Sequence, residues 1–98
     1  MPTRSNEQLC RLAQAGDTAA RDILLESNLG FIRKIALEQY RSMGLDENDI
    51  GIDLDDLVQE GSISLLNAIP LFDAERGMKF LTYAAPAIRN AMTDCIRA

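Results

Sequence analysis

Apolar residues recur every three or four positions along most of the chain. This period is typical of amphipathic α-helices, and no stretch shows the alternation of polar and apolar residues that indicates a half-buried strand. Glycine, proline and acidic residues separate the periodic segments. The pattern predicts an all-α fold, a compact bundle of about five helices, as a single domain over residues 1–98.

Residues 1–27 are predicted to form two short N-terminal helices. Ser5 or Asn6 caps the first helix, and Gly16 ends it. Asp17 caps the second helix, because a carboxylate can accept hydrogen bonds from the free amides at a helix N-terminus. The expected core positions of the two helices are Leu9, Leu12, Ala13, Ala20, Ile23 and Leu24.

A central helix is predicted over residues 28–44, and Gly44 is expected to end it. Phe31 and Ile35 widen its apolar surface by roughly a third of a turn. A surface of that width requires either two neighbouring helices or a partner protein. The main apolar stripe consists of Leu29, Ile32, Ala36, Tyr40 and Met43.

The acid-rich segment that follows has some features of a calcium-binding loop. Asp46 and Gly51 match the first and sixth positions of an EF-hand loop. Ile50 and Leu57, however, stand where that loop needs oxygen ligands. We therefore expect a solvated acidic loop in this segment and no bound calcium.

The fourth helix, over residues 53–72, is predicted to contain an inward-facing glycine. Asp53 is expected to cap the N-terminus of this helix, and Asp56 in the first turn is favourable to the helix dipole. Pro70 is expected to limit the helix near its C-terminal end. Gly61 costs about 1 kcal/mol of helix propensity relative to alanine. We therefore expect a crossing helix whose backbone approaches Gly61 too closely for a side chain. The expected core stripe is Leu54, Val58, Gly61, Leu65, Ala68 and Phe72.

The opposite side of this fourth helix is mostly polar and contains no lysine or arginine. At about 100° per residue, its members fall within one narrow sector of the helix surface. Two interpretations remain open, namely a solvated surface and a docking surface for a basic partner. The face consists of Asp56, Gln59, Glu60, Ile63 and Asn67.

A turn and a last helix complete the pattern. Gly77 supplies a permissive backbone for the turn, and residues 79–98 begin a helix at about Phe80. Pro86 is tolerated if this helix begins late and otherwise predicts a kink. The expected core positions are Leu81, Ala84, Ile88, Ala91 and Cys95. The expected outward positions are Thr82, Pro86, Arg89, Asn90, Thr93 and Arg97.

Composition and charge exclude several classes of function. The 98-residue chain has a net charge of −5, which argues against strong nucleic-acid binding by the chain alone, because such binding depends on clustered Lys and Arg. It contains no histidine, and Cys10 and Cys95 form neither a CxxC pair nor a zinc cluster, so we expect two small buried thiols. We expect no enzymatic activity, no cofactor, no metal and no membrane span, and a cytoplasmic location. The contrast between acidic residues 46–60 and the basic C-terminal stretch suggests two different partners.

From Asp56 onwards the sequence closely resembles conserved region two of bacterial RNA polymerase sigma factors. The family pattern reads D-L-[IV]-Q-E-G, a polar residue, I, a small residue and L, followed by A, F-D, R-G, a basic residue with F-[ST]-T-Y-A, and I-R. The matching positions are residues 56–61, Ile63, Leu65, Ala68, Phe72, Asp73, Arg76, Gly77, Lys79, Phe80, residues 82–84, Ile88 and Arg89. The resemblance extends over about residues 7–98.

This resemblance implies a helical domain that binds core RNA polymerase. The helix over residues 53–72 would dock on the coiled-coil clamp helices of the β′ subunit. Anti-sigma proteins, the antagonists of the family, are a further partner class that the resemblance implies. The residues expected at the polymerase contact are Leu29, Ile32, Asp56, Gln59, Glu60, Ser62 and Leu66.

The resemblance also implies capture of the unwound non-template strand at the promoter minus-ten element, within the polymerase complex only. Lys79 and Arg89 would meet phosphates. Phe80, Thr82 and Tyr83 would help to hold flipped bases. For Phe80 and Tyr83, plain core packing is the alternative interpretation.

Three departures from the family pattern are present, and they raise an alternative function. Pro86 and Ala87 stand where housekeeping sigma factors have a pair of tryptophans, which is closer to the sporulation and stress type. The sequence given reaches Ala98, before most of the promoter-reading helix, and residues 46–52 resemble an insertion. The alternative is a regulatory or mobile-element protein that keeps the polymerase-docking surface without promoter recognition.

Overall fold

The computed structural model describes residues 4–42 and 53–97, which form five α-helices and no strand. The prediction of an all-α bundle of about five helices is confirmed. Two three-residue 3₁₀ turns, Ile69–Leu71 and Ala74–Arg76, join the last two helices. The helices are α1 (Asn6–Gln14), α2 (Thr18–Ser27), α3 (Leu29–Ser42), α4 (Leu54–Ala68) and α5 (Phe80–Arg97).

Both N-terminal helices begin at the predicted caps. The Ser5 hydroxyl accepts from the Gln8 amide at 3.1 Å, and the Gln8 side chain accepts from the Ser5 amide at 2.8 Å, which is a complete capping box. Asp17 accepts from the Ala20 amide at 3.1 Å. Gly16 has φ +103°, which explains why α1 stops there.

The buried side of α2 is narrower than the sequence suggested. Ala20 and Leu24 are buried, whereas Ile23 is 49% exposed, so its prediction as a core residue is wrong. Successive residues of a helix are turned by about 100°, and α2 packs against α1, α3 and α4. Ile23 is therefore turned away from the buried sector that Ala20 and Leu24 occupy. Cys10, which the core prediction omitted, is fully buried.

The broad apolar surface of α3 is covered by two neighbouring helices. Ile32, Ile35 and Ala36 are buried, and α3 packs against both α4 and α5. Leu29 is 37% exposed, because it lies at the first turn of the helix. The predicted stop at Gly44 and the acidic loop over residues 46–52 lie outside the described residues.

The buried side of α4 is centred differently from the predicted stripe. Leu57 is fully buried, whereas Leu54 and Val58 are only partly buried. Because α4 lies against both α3 and α5, its buried sector faces between them rather than towards one neighbour. The helix ends at Ala68, and Pro70, which cannot donate a backbone hydrogen bond, is the second residue of the 3₁₀ turn that follows.

Gly61 is buried as predicted, but side chains rather than a helix backbone occupy the space beside it. A Cβ atom at this position would lie 2.6 Å from Met92 Cε, 2.8 Å from Ile32 Cγ2 and 3.3 Å from Ile88 Cγ2. Ile32 belongs to α3, and the other two residues belong to α5. The missing side chain of Gly61 therefore lets three helices meet at one point.

The last turn and helix largely follow the prediction. Gly77 has φ +78° and terminates the second 3₁₀ turn. Pro86 lies inside α5, which begins at Phe80. Its buried residues are Phe80, Ala84, Ala85, Ile88 and Met92, whereas the predicted core residues Leu81, Ala91 and Cys95 are half-buried. The predicted outward residues Thr82, Pro86, Arg89 and Asn90 are exposed.

Both cysteines are free thiols. Burial, and to a lesser degree the Glu7 carboxylate, raise the pKa of Cys10 to about 11. Cys10 is therefore a structural thiol that stays protonated at neutral pH. Cys95 is half-buried, so the prediction of two buried thiols holds for Cys10 only.

Replacement of Gly61 by alanine tests the close packing of α3, α4 and α5. We expect Gly61→Ala to lower the free energy of unfolding by about 1–3 kcal/mol relative to a matched glycine-to-alanine change, because the added methyl overpacks a filled space. Gly30→Ala in α3 is that control, since a Cβ at Gly30 meets nothing within 4 Å in the described part of the chain. It should stabilise by up to about 1 kcal/mol. Equal unfolding free energies in urea titrations of the two variants would contradict the packing described here.

The cap of α4 provides a second stability test. The Asp53 carboxylate accepts from the Asp56 amide at 3.0 Å, and the Asp56 carboxylate accepts from the Asp53 amide at 3.1 Å. We expect Asp53→Ala to lower the unfolding free energy by about 1 kcal/mol, because it leaves helix amides without a partner. Asp55→Ala, in the same turn, should change it by less than about 0.5 kcal/mol. Thermal unfolding followed by circular dichroism distinguishes them, and equal losses would argue against the cap.

Candidate functional site

The outward side of α4 presents an acidic and polar face, which we call the α4 face. Its core-facing side is held by the packing at Gly61 and Leu57. Ile63 is 53% exposed in the middle of this face, surrounded by carboxylates and carboxamides. The predicted members are all solvent-accessible: Gln59, Glu60, Ile63 and Asn67 are exposed, and Asp56 is half-exposed.

Local hydrogen bonds fix two of the predicted docking residues. Asp56 Oδ2 is engaged in the α4 capping box, which holds this carboxylate over the first turn of the helix. The Ser62 hydroxyl donates to the Val58 carbonyl at 2.7 Å, within the same helix. Leu66 is half-buried against the core, and Leu29 extends the accessible surface from the start of α3.

Ile32 differs from the other six predicted docking residues. Its side chain is fully buried and lies beside Gly61, beneath α4. A partner therefore cannot touch Ile32 in this structure, and the prediction that it is a contact residue is wrong. Ile32 instead packs under α4 and supports that helix. The resemblance marked the position but could not distinguish a surface residue from the core residue under it.

The electrostatic field of the α4 face is negative. Burial, followed by the charges of Glu60 and Asp56, raises the pKa of Cys95 on the neighbouring helix α5. Residues 53–72 contain no lysine or arginine that could neutralise these carboxylates. The face therefore suits a cationic partner, because arginine can pair with carboxylates through charge-assisted hydrogen bonds.

A second surface lies where the 3₁₀ turns meet α5. It is an open groove of about 560 Å³ beside Tyr83, which we call the Tyr83 groove. The Tyr83 side chain is 37% exposed, and its ring centroid lies 5.6 Å from that of Phe72. The groove is lined by Leu71, Phe72, Asp73, Arg76, Met78 and Tyr83.

Phe80 cannot hold a base in this structure. It is fully buried and packs edge-on against Phe72, with ring centroids 5.4 Å apart at 89°. The core-packing interpretation therefore holds for Phe80. Tyr83, three residues later, is accessible to solvent. Phe80 is therefore a core residue, and Tyr83 is the aromatic residue of the pair that a base could reach.

The remaining predicted strand contacts do not all converge on the Tyr83 groove. Thr82 and Arg89 line a shallower groove on the α3 side of α5, together with Phe31. Lys79 is exposed immediately before α5. The structure thus brings Thr82 and Arg89 together and separates them from Tyr83 across the exposed side of the helix.

The sequence reasoning missed several groove residues. Arg76 was recognised as part of the family pattern but not as a lining residue, and its guanidinium lies 3.8 Å from the Asp73 carboxylate. Leu71 and Met78 are exposed apolar side chains, at 73% and 46%. Leu71 follows Pro70 and Met78 follows Gly77, so both lie in predicted turn segments near aromatic residues. That position could have indicated exposed apolar residues beside a groove.

The described residues bring together no group of three or more potential metal-ligating side chains. Among the helices that the structure describes, none is long and apolar enough to cross a membrane. The candidate site therefore consists of the two surfaces, the α4 face and the Tyr83 groove, which lie on adjoining helices of one core.

The sequence is similar to those of RNA polymerase sigma factors. The RNA polymerase sigma-C factor of Myxococcus xanthus is 38% identical over 90 residues, which is 92% of this chain and 28% of that protein. The RNA polymerase principal sigma factor HrdD of Streptomyces viridifaciens is 38% identical over 92 residues, or 94% of this chain and 25% of that protein. The RNA polymerase sigma factor SigA of Synechocystis is 41% identical over 80 residues, which is 82% of this chain and 17% of that protein.

This chain spans less than a third of the length of those relatives. The matching family model is that of sigma-70 region 2, over residues 24–98. These residues include α3, α4, both 3₁₀ turns and α5, and therefore the whole of the α4 face and the Tyr83 groove. Because the family model covers most of the chain, the chain belongs to the sigma-70 region 2 family.

Proposed function

We propose that this domain is a transcription-initiation adaptor that binds core RNA polymerase and helps to capture the promoter non-template strand at the minus-ten element. The observation that carries the proposal is the α4 face, an acidic and amide-rich helix surface held by a closely packed core. The domain has no catalytic step in this proposal. It acts in the cytoplasm, where the polymerase works.

The α4 face supplies the polymerase contact in this proposal. Its partner is the pair of clamp helices of the β′ subunit, docked over Gln59 and Glu60 with Ile63 at the centre. Because the helix backbone under these carboxylates is already ordered, binding arginine costs only the ordering of the side chains, and the charge-assisted pairs retain more of their interaction energy. Ile63 is 53% exposed and would be covered in the complex.

The Tyr83 groove supplies the strand contact. A nucleobase can stack on the exposed side of an aromatic ring, and such stacking is worth about 1–3 kcal/mol per base. Lys79, immediately before α5, and Arg89, in the groove on the α3 side of that helix, provide charge for phosphates without sequence preference. The chain alone is net acidic at −5, so the strand would be captured only when the polymerase supplies the positive surroundings.

An anti-sigma antagonist would act on the same surface in this proposal. A protein that covers Gln59, Glu60 and Ile63 removes the charge and the apolar centre that the clamp helices need. Competition for one face requires no conformational change in the domain. The antagonist is therefore expected to share the basic character of the clamp helices.

Charge reversal at Glu60 tests the polymerase contact. We expect Glu60→Lys to weaken binding to core polymerase, and to a β′ clamp-helix fragment, by about 2–5 kcal/mol, or more than about thirtyfold in Kd. Gln59→Ala should weaken both interactions to a smaller extent. Glu26→Lys makes the same charge change on the exposed surface of α2 and should bind like the wild type. Unchanged binding of Glu60→Lys in an equilibrium titration would rule out docking through the α4 face.

Replacement of Tyr83 tests strand capture within the polymerase complex. We expect Tyr83→Ala to weaken binding of a single-stranded minus-ten oligonucleotide by about 1–3 kcal/mol, because a stacking surface is lost. Tyr83→Phe keeps the ring and should bind like the wild type. Polymerase binding should be the same in all three proteins. The docking-only alternative raised from the sequence predicts no strand protection that depends on Tyr83, so an indistinguishable Tyr83→Ala would favour it.

A further inference from the structure

The Tyr83 groove is built mainly from the segment that joins α4 to α5, residues 69–79, which we call the connector. Five of the six lining residues belong to it. The connector has only two three-residue 3₁₀ turns, so its own backbone hydrogen bonds fix it weakly. The shape of the groove must therefore depend on what holds the connector from outside.

Gln14 at the end of α1 holds the first half of the connector. Its Nε2 atom donates to the Ile69 carbonyl and to the Phe72 carbonyl, each at 2.8 Å. One carboxamide group thus contacts the carbonyl of the first residue of the 3₁₀ turn and that of the residue that follows the turn. Phe72 is the residue whose ring contacts Tyr83, so Gln14 fixes the backbone that places this ring.

Glu7 at the start of α1 holds the other end of the connector. Its Oε2 atom accepts from the Phe80 amide at 2.7 Å. Phe80 is the first residue of α5, where helix amides have no partner within the helix, and a carboxylate is favoured by the helix dipole. The cap of α5 is therefore supplied by a different helix, 73 residues earlier in the sequence.

These contacts lie on one side of a single short helix. Glu7, Cys10 and Gln14 are spaced by three and four residues, and the Cys10 thiol lies 3.6 Å from the Ile69 carbonyl. Seven residues of α-helix rise by about 10.5 Å, so α1 sets a fixed separation between Phe72 and Phe80. The helix is held by its own capping box and by packing on α2.

We propose that Gln14 and Glu7 are positioning residues for strand capture. The inference rests on the proposed function of the Tyr83 groove and goes beyond it, because neither side chain lines that groove. They hold the connector at both ends, so that Phe72, Arg76 and Tyr83 are already arranged when a base arrives. Pre-arrangement increases affinity by reducing the ordering cost of binding.

Gln14→Met tests this inference, because it removes both donors and keeps the length and helix propensity of the side chain. In the complex with core polymerase, we expect the Kd for the single-stranded minus-ten oligonucleotide to rise about tenfold. The Kd for core polymerase should stay within about twofold, since α1 lies apart from the α4 face. Gln39→Met in α3 is the control, because the Gln39 carboxamide makes no hydrogen bond among the described residues, and it should match the wild type.

Glu7→Gln is a second variant, which keeps the shape of the side chain but removes its charge. It should weaken strand binding by about threefold to tenfold, because a charge-assisted bond to the Phe80 amide becomes a neutral one. Strand binding equal to the wild type in both Gln14→Met and Glu7→Gln would overturn the inference.

Tyrosine fluorescence gives a readout that a loss of overall stability would not change. The chain has two tyrosines and no tryptophan, so Tyr40→Phe leaves Tyr83 as the only fluorophore of that type. In this background, Gln14→Met should make Tyr83 more accessible to acrylamide, under conditions where the protein is fully folded. If strand binding became weaker while the quenching of Tyr83 stayed unchanged, the loss of binding would not come from a displaced Tyr83. That result would overturn the positioning role.

The two proposals can fail separately. If Tyr83→Ala has no effect on strand binding, the proposed function of the groove fails. If Tyr83→Ala weakens strand binding and Gln14→Met does not, only the positioning role fails. Loss of polymerase binding in Gln14→Met would contradict the positioning role, because it would mean that α1 supports the whole domain rather than the groove.

Discussion

The packing at Gly61 is the constraint on which the rest of this domain depends. A buried glycine in the middle of a 15-residue helix is unfavourable by about 1 kcal/mol against alanine. In return, Ile32 from α3 and Met92 and Ile88 from α5 fill the space that a side chain would take. Three helices thereby share one contact point, and the orientation of α4 is fixed from two sides.

This arrangement gives the α4 face its chemical character. A small domain buries a limited apolar surface, so it cannot hold many exposed carboxylates in place with further layers of structure. Here the inward side of α4 is held closely enough that the outward side can consist of carboxylates, carboxamides and one exposed isoleucine. Like charges on one helix face repel each other, and a cationic partner relieves that repulsion. The face is therefore better matched to a complex than to solvent.

Most of the fold could be predicted from the sequence, because its signals are local. Helix caps at Ser5, Asp17 and Asp53, and the left-handed glycines, depend on neighbours within three or four residues, and the structure contains them. Which residues of a helix are buried depends on where its neighbours lie, and the errors are of that kind. Ile23 is exposed because the neighbours of α2 cover Ala20 and Leu24 and leave its own position open.

The candidate site was less predictable for a related reason. The resemblance selected Ile32 and Phe80 together with true surface residues, because a family pattern records positions that matter and does not separate support from contact. Burial separates them, and burial is a property of the assembled helices. The contacts of Gln14 with the connector join residues more than 50 positions apart, and no periodicity or short motif indicates such a pair.

The core also connects the two surfaces physically. Phe80 is fully buried, packs edge-on against Phe72, and Phe72 in turn contacts Tyr83, so a chain of three aromatic rings leads from the core to the groove. Ile88 and Met92, which belong to α5 like Tyr83, fill the space beside Gly61 of α4. The helix that carries Tyr83 is thus the helix that fixes α4. A partner bound to the α4 face would therefore fix the position of the Tyr83 groove without any movement inside the domain, because α5, which carries Tyr83, packs directly on α4.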